Sequence, residues 1–313
     1  VSEMIELQGL SKLYGRVIGV NDLCGSFPAG AYGLIGPNGS GKTTMINLLT
    51  GQLKPTTGRV RVFGRDPFRQ RDVLRQIGLC PATDVLYPNV SARQWVRCLV
   101  RLHGFGAAES RRRADDALEQ VGLSDAMDRP MGRYSLGMRQ RAKLAQAIAH
   151  EPDLLILDEP YNGLDPVGRY EMTALLRRWH SAGRSLLFAS HVLHEIESIT
   201  RSFLWIHGGR LLASGTAEEI DAIVASTPQE IVLRGDGVGR LVQHLANHPQ
   251  VQRIELSTTD NRLTVGVREV NQLIPQLTRW IAEDSVKVDE LLSADGDLSA
   301  MFEALLRRHR GEQ

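Results

Sequence analysis

One run of residues constrains this chain more than any other: Gly36-Pro37-Asn38-Gly39-Ser40-Gly41-Lys42-Thr43, followed by Thr44. Its spacing, G-x-x-x-x-G-K-[ST], is that of a loop that cradles phosphates between a strand and a helix. Glycines there let backbone N–H groups turn inward and approach phosphate oxygens closely. A helix starting near Lys42 adds the positive end of its dipole. The context fits, because apolar Tyr32–Ile35 precedes the loop and helix-like Lys42–Thr50 follows it, stopped by Gly51. Lys42 then reaches the β- and γ-phosphates, and the Thr43 hydroxyl holds Mg²⁺. By itself the loop specifies a nucleoside triphosphate and no particular reaction.

A second feature supplies chemistry. Leu154-Leu-Ile-Leu-Asp158-Glu159 is an apolar run ending in two adjacent acids. It reads as a strand buried on both faces. Its end can set Asp158 beside the phosphate loop as a metal ligand. Glu159 is then free to act as a general base on water. Around these motifs short apolar runs alternate with helical patterns, which predicts an α/β layer structure with a partly parallel sheet. Expected strands are Met4–Leu7, Val17–Leu23, Tyr32–Ile35, Val60–Phe63, Ile77–Cys80, Leu154–Leu157 and Ser185–Ala189. Ser91–His103, Ala107–Val121 and Leu136–Ala149 read as helices, the first two interrupting the strand rhythm as an insertion. Near Asp221–Gln229 the pattern fades. Beyond it the order is strand (Glu230–Arg234), helix (Gly239–Asn247), strands (Val251–Ser257 and Arg262–Val267), helix (Asn271–Ala282) and strand (Ser285–Val288), the split βαβ order of a ferredoxin-like unit. A last helix is expected at Leu298–Arg308.

Composition narrows the rest. The chain has 313 residues, a net charge of +1 and 42% hydrophobic residues, enough for a sizeable core and against a generally basic nucleic-acid binder. No apolar run reaches the ~18–20 residues that span a bilayer. VSEMIELQGL lacks a basic start and apolar stretch, so no signal peptide is expected. Cys24, Cys80 and Cys98 are scattered and odd in number, which suits a reducing compartment. His191 and His194 flank no H-E-x-x-H pattern, so zinc is not expected.

In order along residues 2–220, the chain resembles the ATP-binding cassette (ABC) ATPases. Besides the two motifs above, Tyr134-Ser135-Leu136-Gly137-Met138-Arg139-Gln140-Arg141 is similar to the family's signature segment. Asn162-Gly-Leu-Asp165 resembles its D-loop, Ser190-His191 its switch histidine, and Tyr14 the aromatic that stacks on adenine. The resemblance implies a cassette over 1–222, with a helical subdomain at about 88–150 and an α+β accessory unit over 229–313. It implies a head-to-tail pair of cassettes, homodimer or heterodimer, with ATP between the loop of one and Ser135 and Gly137 of the other. Asp165 joins that contact, and His191 bonds the γ-phosphate.

The match has departures. Where the family commonly has a glutamine after the strand Ile77–Cys80, this chain has Ala82, whose methyl can neither ligate Mg²⁺ nor orient water. Thr83 or Asp84 are the candidates to compensate. Tyr134, Leu136 and Met138 replace the usual Leu, Gly and Gln. The carboxy-terminal unit, with Asp297-Leu-Ser-Ala-Met-Phe302, is similar to the extension of ABC-2-type exporter cassettes. The segment around Tyr87 and Trp95 is where such cassettes dock a membrane subunit.

The expectation is therefore a P-loop ABC cassette with a small α+β unit. It uses ATP and Mg²⁺ peripherally on the cytoplasmic side of the membrane and drives a separate integral membrane permease, with no nucleic-acid partner. The alternatives are a soluble cassette ATPase, or a regulatory cassette that hydrolyses weakly, as Ala82 suggests.

Overall fold

The structure is a computed structural model and describes residues 3–83, 87–216, 229–268 and 270–293. Asp84, the fading segment 221–228, the expected last helix Leu298–Arg308 and the Asp297–Phe302 motif lie outside the described residues. Backbone contacts divide the chain into two units, Val1–Gly215 and Thr216–Gln313.

In the first unit, β1 (Ile5–Tyr14), β2 (Val17–Phe27) and β4 (Thr57–Val62) form an antiparallel sheet in the order β2-β1-β4. β1 runs well past the expected Leu7. Its inside–outside alternation breaks near Gly9, at φ +56°, where the pairing shifts register as a bulge does. The second sheet holds β3 (Ala31–Ile35), β5 (Ile77–Cys80), β6 (Leu154–Asp158), β7 (Ser185–Ser190), β8 (Ser202–His207) and β9 (Arg210–Thr216), ordered β5-β6-β7-β3-β8-β9. The pairs from β5 to β8 are parallel. β8 and β9 meet through the two-residue turn Gly208-Gly209, which only an antiparallel pair can use, so the sheet is mixed.

β6 and β7 are buried at every position, as continuous apolar strands in the middle of a covered sheet should be. Helix α1 (Lys42–Leu49) contributes Met45, Ile46, Leu48 and Leu49 to a core shared with Leu7, Leu10 and Leu23 of the antiparallel sheet and Leu34, Ile156, Leu187 and Leu204 of the mixed one. Of the other helices, α2 (Ala92–Leu102) and α3 (Ala107–Gln120) pack on each other and on α4 (Leu136–Ile148), which reaches β5, while α5 (Pro166–Ser181) meets β7 and α6 (Leu193–Glu197) meets β3 and β7. Ser91 and Gln94 start α2 with a reciprocal capping box, which is why the sequence marks that end well.

The second unit contains β10 (Gln229–Asp236), a 3-10 turn at Val238–Leu241 leading into α7 (Val242–Ala246), β11 (Val251–Ser257), β12 (Arg262–Val267), α8 (Val270–Glu283) and β13 (Lys287–Ser293). The sheet is antiparallel, in the order β11-β12-β10-β13, which is the split βαβ arrangement. Ile231, Leu233, Val265 and Val267 pack against Leu241, Leu245, Leu273 and Leu277. Two expectations are corrected. Gly239–Asn247 is a 3-10 turn before a short helix rather than one helix. The last strand starts at Lys287, not Ser285, because α8 ends in a Schellman turn. Ser285, at φ +52°, donates to Ala282 O, and Val286 N donates to Ile281 O, so those residues cap the helix.

Candidate functional site

Three strand ends build the site. β3, β6 and β7 run parallel with Ile35 opposite Ser190 and Asp158 opposite Ala189. The residues that follow, Gly36 onward, Glu159 and His191, therefore emerge along one edge of the sheet. Open α/β sheets bind ligands at this edge, beyond the carboxyl ends of the strands.

The loop folds as its glycines require. Gly41, at φ +108°, forms the N-cap of α1, and a Cβ there would stand 2.5 Å from Gly19 O. A Cβ at Gly36 would stand 2.1 Å from Ile206 O, so the loop is pressed against neighbouring backbone. Gly39 takes φ +78°, and Pro37, Asn38 and Gly39 face solvent. Nothing in a side chain caps α1, which leaves its first amides to the loop's concave side. The Ser40 hydroxyl is buried without a hydrogen-bond partner among the described residues. Uncapped amides, an orphaned hydroxyl and a lysine form a donor set suited to phosphate.

Lys42 curls back over the loop. Its Nζ donates to Gly36 O at 2.6 Å and Pro37 O at 3.2 Å, and lies 3.7 Å from Glu159 Oε1. Burial lowers its pKa, against the pull of Glu159 and Asp158. Thr43 Oγ1 donates to Asp158 Oδ2 at 2.8 Å, so the two candidate metal ligands touch. Burial raises the pKa of Asp158, opposed by that Thr43 bond and by Lys42 and Lys143. Glu159, with its side chain 12% exposed, meets His191 Nδ1 at 3.0 Å through Oε2. A carboxylate only accepts, so Nδ1 carries the proton and Nε2 is free for a second partner. Burial raises the pKa of Glu159 as well, against His191 and Lys42. Its own backbone, at φ +51°, is held by Glu159 N donating to Ala189 O at 2.9 Å. The Tyr14 ring and Thr44 meet at Gly19, where a Cβ would lie 2.7 Å from the ring and 2.9 Å from Thr44 Cγ2. Tyr14 is thus a half-exposed aromatic beside the first turn of α1.

Ser135 and Gly137 stand apart from this group. Ser135 caps α4, accepting from Met138 N at 3.2 Å. The flanking Leu136 and Gly137 lie against Gly163 and Leu164 of the same chain. Asp165 caps α5, accepting from Gly168 N at 2.7 Å. Other contacts carry no sequence signal. Buried Lys143 of α4 donates to Pro81 O at 3.1 Å and Ala82 O at 3.2 Å, fixing the backbone where the glutamine was expected. Glu195 accepts from Ser190, five residues before it, and from Arg169, 26 residues before it.

A phosphate loop with a lysine, a hydroxyl–carboxylate pair and a carboxylate–histidine pair along one sheet edge defines a P-loop nucleoside triphosphatase of the cassette type. Comparison with known proteins agrees. Residues 21–162 match the family model described as ABC transporter. The daunorubicin resistance ATP-binding protein DrrA3 of Streptomyces coeruleorubidus is 31% identical, over 95% of this chain and 94% of its own. The bacitracin transport ATP-binding protein BcrA of Enterococcus faecalis is 31% identical, over 97% and 96%. A solved structure described as the ATP binding subunit of an ABC transporter superposes with a TM-score of 0.63 at 29% identity, over 70% of this chain and 92% of that one. The chain belongs to the ATP-binding proteins of ABC transporters. It is an ATPase, and among the described residues no helix is long and apolar enough to cross a membrane.

Proposed function

We propose that this chain is the ATP-hydrolysing subunit of an ABC-2-type exporter, working peripherally on the cytoplasmic face through a separate permease. The observation that carries the reading is the pairing of Thr43 with Asp158 and of Glu159 with His191, around Lys42, on one sheet edge. Relatives named for daunorubicin resistance and for bacitracin and lantibiotic transport support the export assignment.

In this reading Tyr14 stacks on adenine. The amides from Gly36 to Thr44 and the Lys42 ammonium hold the phosphates. Thr43 and Asp158 hold Mg²⁺, which when bound neutralises charge building on the β- and γ-oxygens. Glu159 takes the proton of the attacking water. His191, its Nδ1–H kept on Glu159, offers Nε2 to the γ-phosphate and orients the water. Ser135 caps α4, and Leu136 and Gly137 beside it lie against their own chain's Gly163 and Leu164. Ser135 and Gly137 act on the ATP of a second cassette, identical or different, and Asp165 belongs to the same contact. An oxyanion-type donor of that kind contributes roughly 10²–10³ in rate, so a lone cassette turns over slowly. The permease docks near Tyr87 and Trp95. The cassette occupies residues 1–222 and the accessory unit 229–313.

Ala82 favours a second reading, a regulatory cassette of weak turnover. One experiment separates the two. Glu159→Gln should keep nucleotide binding and lower kcat by about 10²–10⁴, the worth of a general base. Equal, negligible rates in native and variant protein would favour the regulatory cassette. For the exporter assignment, purification from gently solubilised membranes should recover an integral membrane chain. Recovery from cytosol alone, with no such chain, counts against it.

A further inference from the structure

We infer that Glu195 is a positioning residue for hydrolysis: anchored by Arg169, it fixes the backbone on both sides of His191 and so holds that imidazole against Glu159. The inference rests on the reading of His191 given above and adds a residue to it.

The geometry is continuous. Arg169, in the first turn of α5, donates through Nη1 to Glu195 Oε1 at 2.8 Å. Ser190 Oγ donates to Glu195 Oε2 at 2.6 Å and accepts from Val192 N at 3.0 Å. The Ser190 hydroxyl has one hydrogen, and both of its roles are taken, so it cannot rotate without losing a bond. Ser190 and Val192 flank His191 directly. The imidazole therefore projects from a segment held at both neighbours by one carboxylate–hydroxyl pair.

A plain structural role is a poor account of these contacts. The five-residue α6 is anchored by Ile196, fully buried against Gly33, where a Cβ would come within 2.0 Å of Ile196 Cγ2. Glu195 is not needed to hold that helix down. Its side chain is 11% exposed, and burying a carboxylate is costly unless it is paired. Arg169 also donates to Leu164 O at 3.3 Å, so the link ends on the segment that packs against Leu136 and Gly137. A displacement of Asn162–Asp165 thus has a route to His191.

The test is a double-mutant cycle on the full chain, read by single-turnover and steady-state ATP hydrolysis. Glu195→Gln keeps the shape and removes the charge. It should lower kcat about tenfold, as a modest misplacement of a catalytic group does, with KM for ATP unchanged. In a His191→Ala background the same substitution should have no further effect. A rate loss of equal size in both backgrounds, or native kcat in Glu195→Gln, would overturn the inference alone. Native turnover surviving His191→Ala would refute the reading of the site, and this inference with it. Should Glu195→Gln fold poorly, Arg169→Met, made at a half-exposed side chain, decides the matter by the same comparison: a kcat loss absent without His191 supports the link, and an additive loss overturns it.

Discussion

His150 should make the first unit acid-sensitive, and the size of the effect follows from its surroundings. The ring is 8% exposed and donates through Nε2 to Ile77 O at 3.1 Å. Its Nδ1 is buried with no partner among the described residues, so a second proton has nothing to bond. The His103 ring stacks on it at 3.9 Å and Arg113 adds positive charge. Burial chiefly, then His103, pushes the pKa from 6.5 down to about 4. In the unfolded chain the group titrates near its ordinary value. Below pH 6.5 the unfolded state takes the proton and the folded state does not, so stability present above 6.5 drains away as the pH falls toward 4. The full span corresponds to about 3 kcal/mol, and the step from pH 7 to pH 5 to roughly 2 kcal/mol. His150→Gln keeps an amide donor for Ile77 O and cannot titrate. Urea unfolding of both proteins at both pH values cancels the titrating groups that do not touch His150 in the double difference, and a second pair made in a His103→Gln background removes the stacked His103 as well. The native chain should lose roughly 2 kcal/mol more than the variant between the two pH values. Equal losses would refute the assignment of a neutral, buried His150.

Two further substitutions probe the loop and the cap. Gly41→Ala places a methyl 2.5 Å from Gly19 O at φ +108°. It should cost more than about 1 kcal/mol in thermal unfolding and weaken nucleotide binding measured by titration. Asp165→Ala removes the bond to Gly168 N and should cost about 1 kcal/mol of stability, with any larger loss of turnover pointing to its expected contact with a second cassette.

What the sequence yields here is what is local. Gly36–Thr43 and Asp158-Glu159 each sit where an apolar strand stops, and a strand buried on both faces announces its end by the change in polarity. β5 is found at Ile77–Cys80 as expected, and Ser91 marks α2 through its capping box. Helix α5 carries an equally local signal, Asp165-Pro166 ahead of buried Met172, Leu175, Leu176 and Trp179, yet lies outside the expected elements, as does the hairpin of β8 and β9 around Gly208-Gly209. The long-range pairings have no local trace. The register that sets Asp158 opposite Ala189 is decided by packing, as are the contacts of Lys143 with Ala82 O and of Glu195 with Arg169.

The charges at the site also bear on why a nucleotide should switch it on. Burial works against every ion there, lowering the pKa of Lys42 and raising those of Asp158 and Glu159. Lys42 opposes that push on both carboxylates, and they oppose it on Lys42. Glu159 lies 3.7 Å from Lys42 and 3.0 Å from His191, so its carboxylate is engaged by two groups that the proposed reading assigns to phosphate. On that reading, arriving phosphate oxygens compete with Glu159 for Lys42 and meet His191 through its other nitrogen, Nε2. As Lys42 turns to the phosphates, the carboxylate loses that cation and gains a lone pair for water, while His191 keeps its Nδ1–H on Glu159. On the proposed reading of Glu159, the general base is thus freed by the binding event that supplies its substrate. A buried carboxylate that gives up a cation is also a stronger proton acceptor, because the opposite charge that favoured its ionised form is gone while burial still disfavours that form.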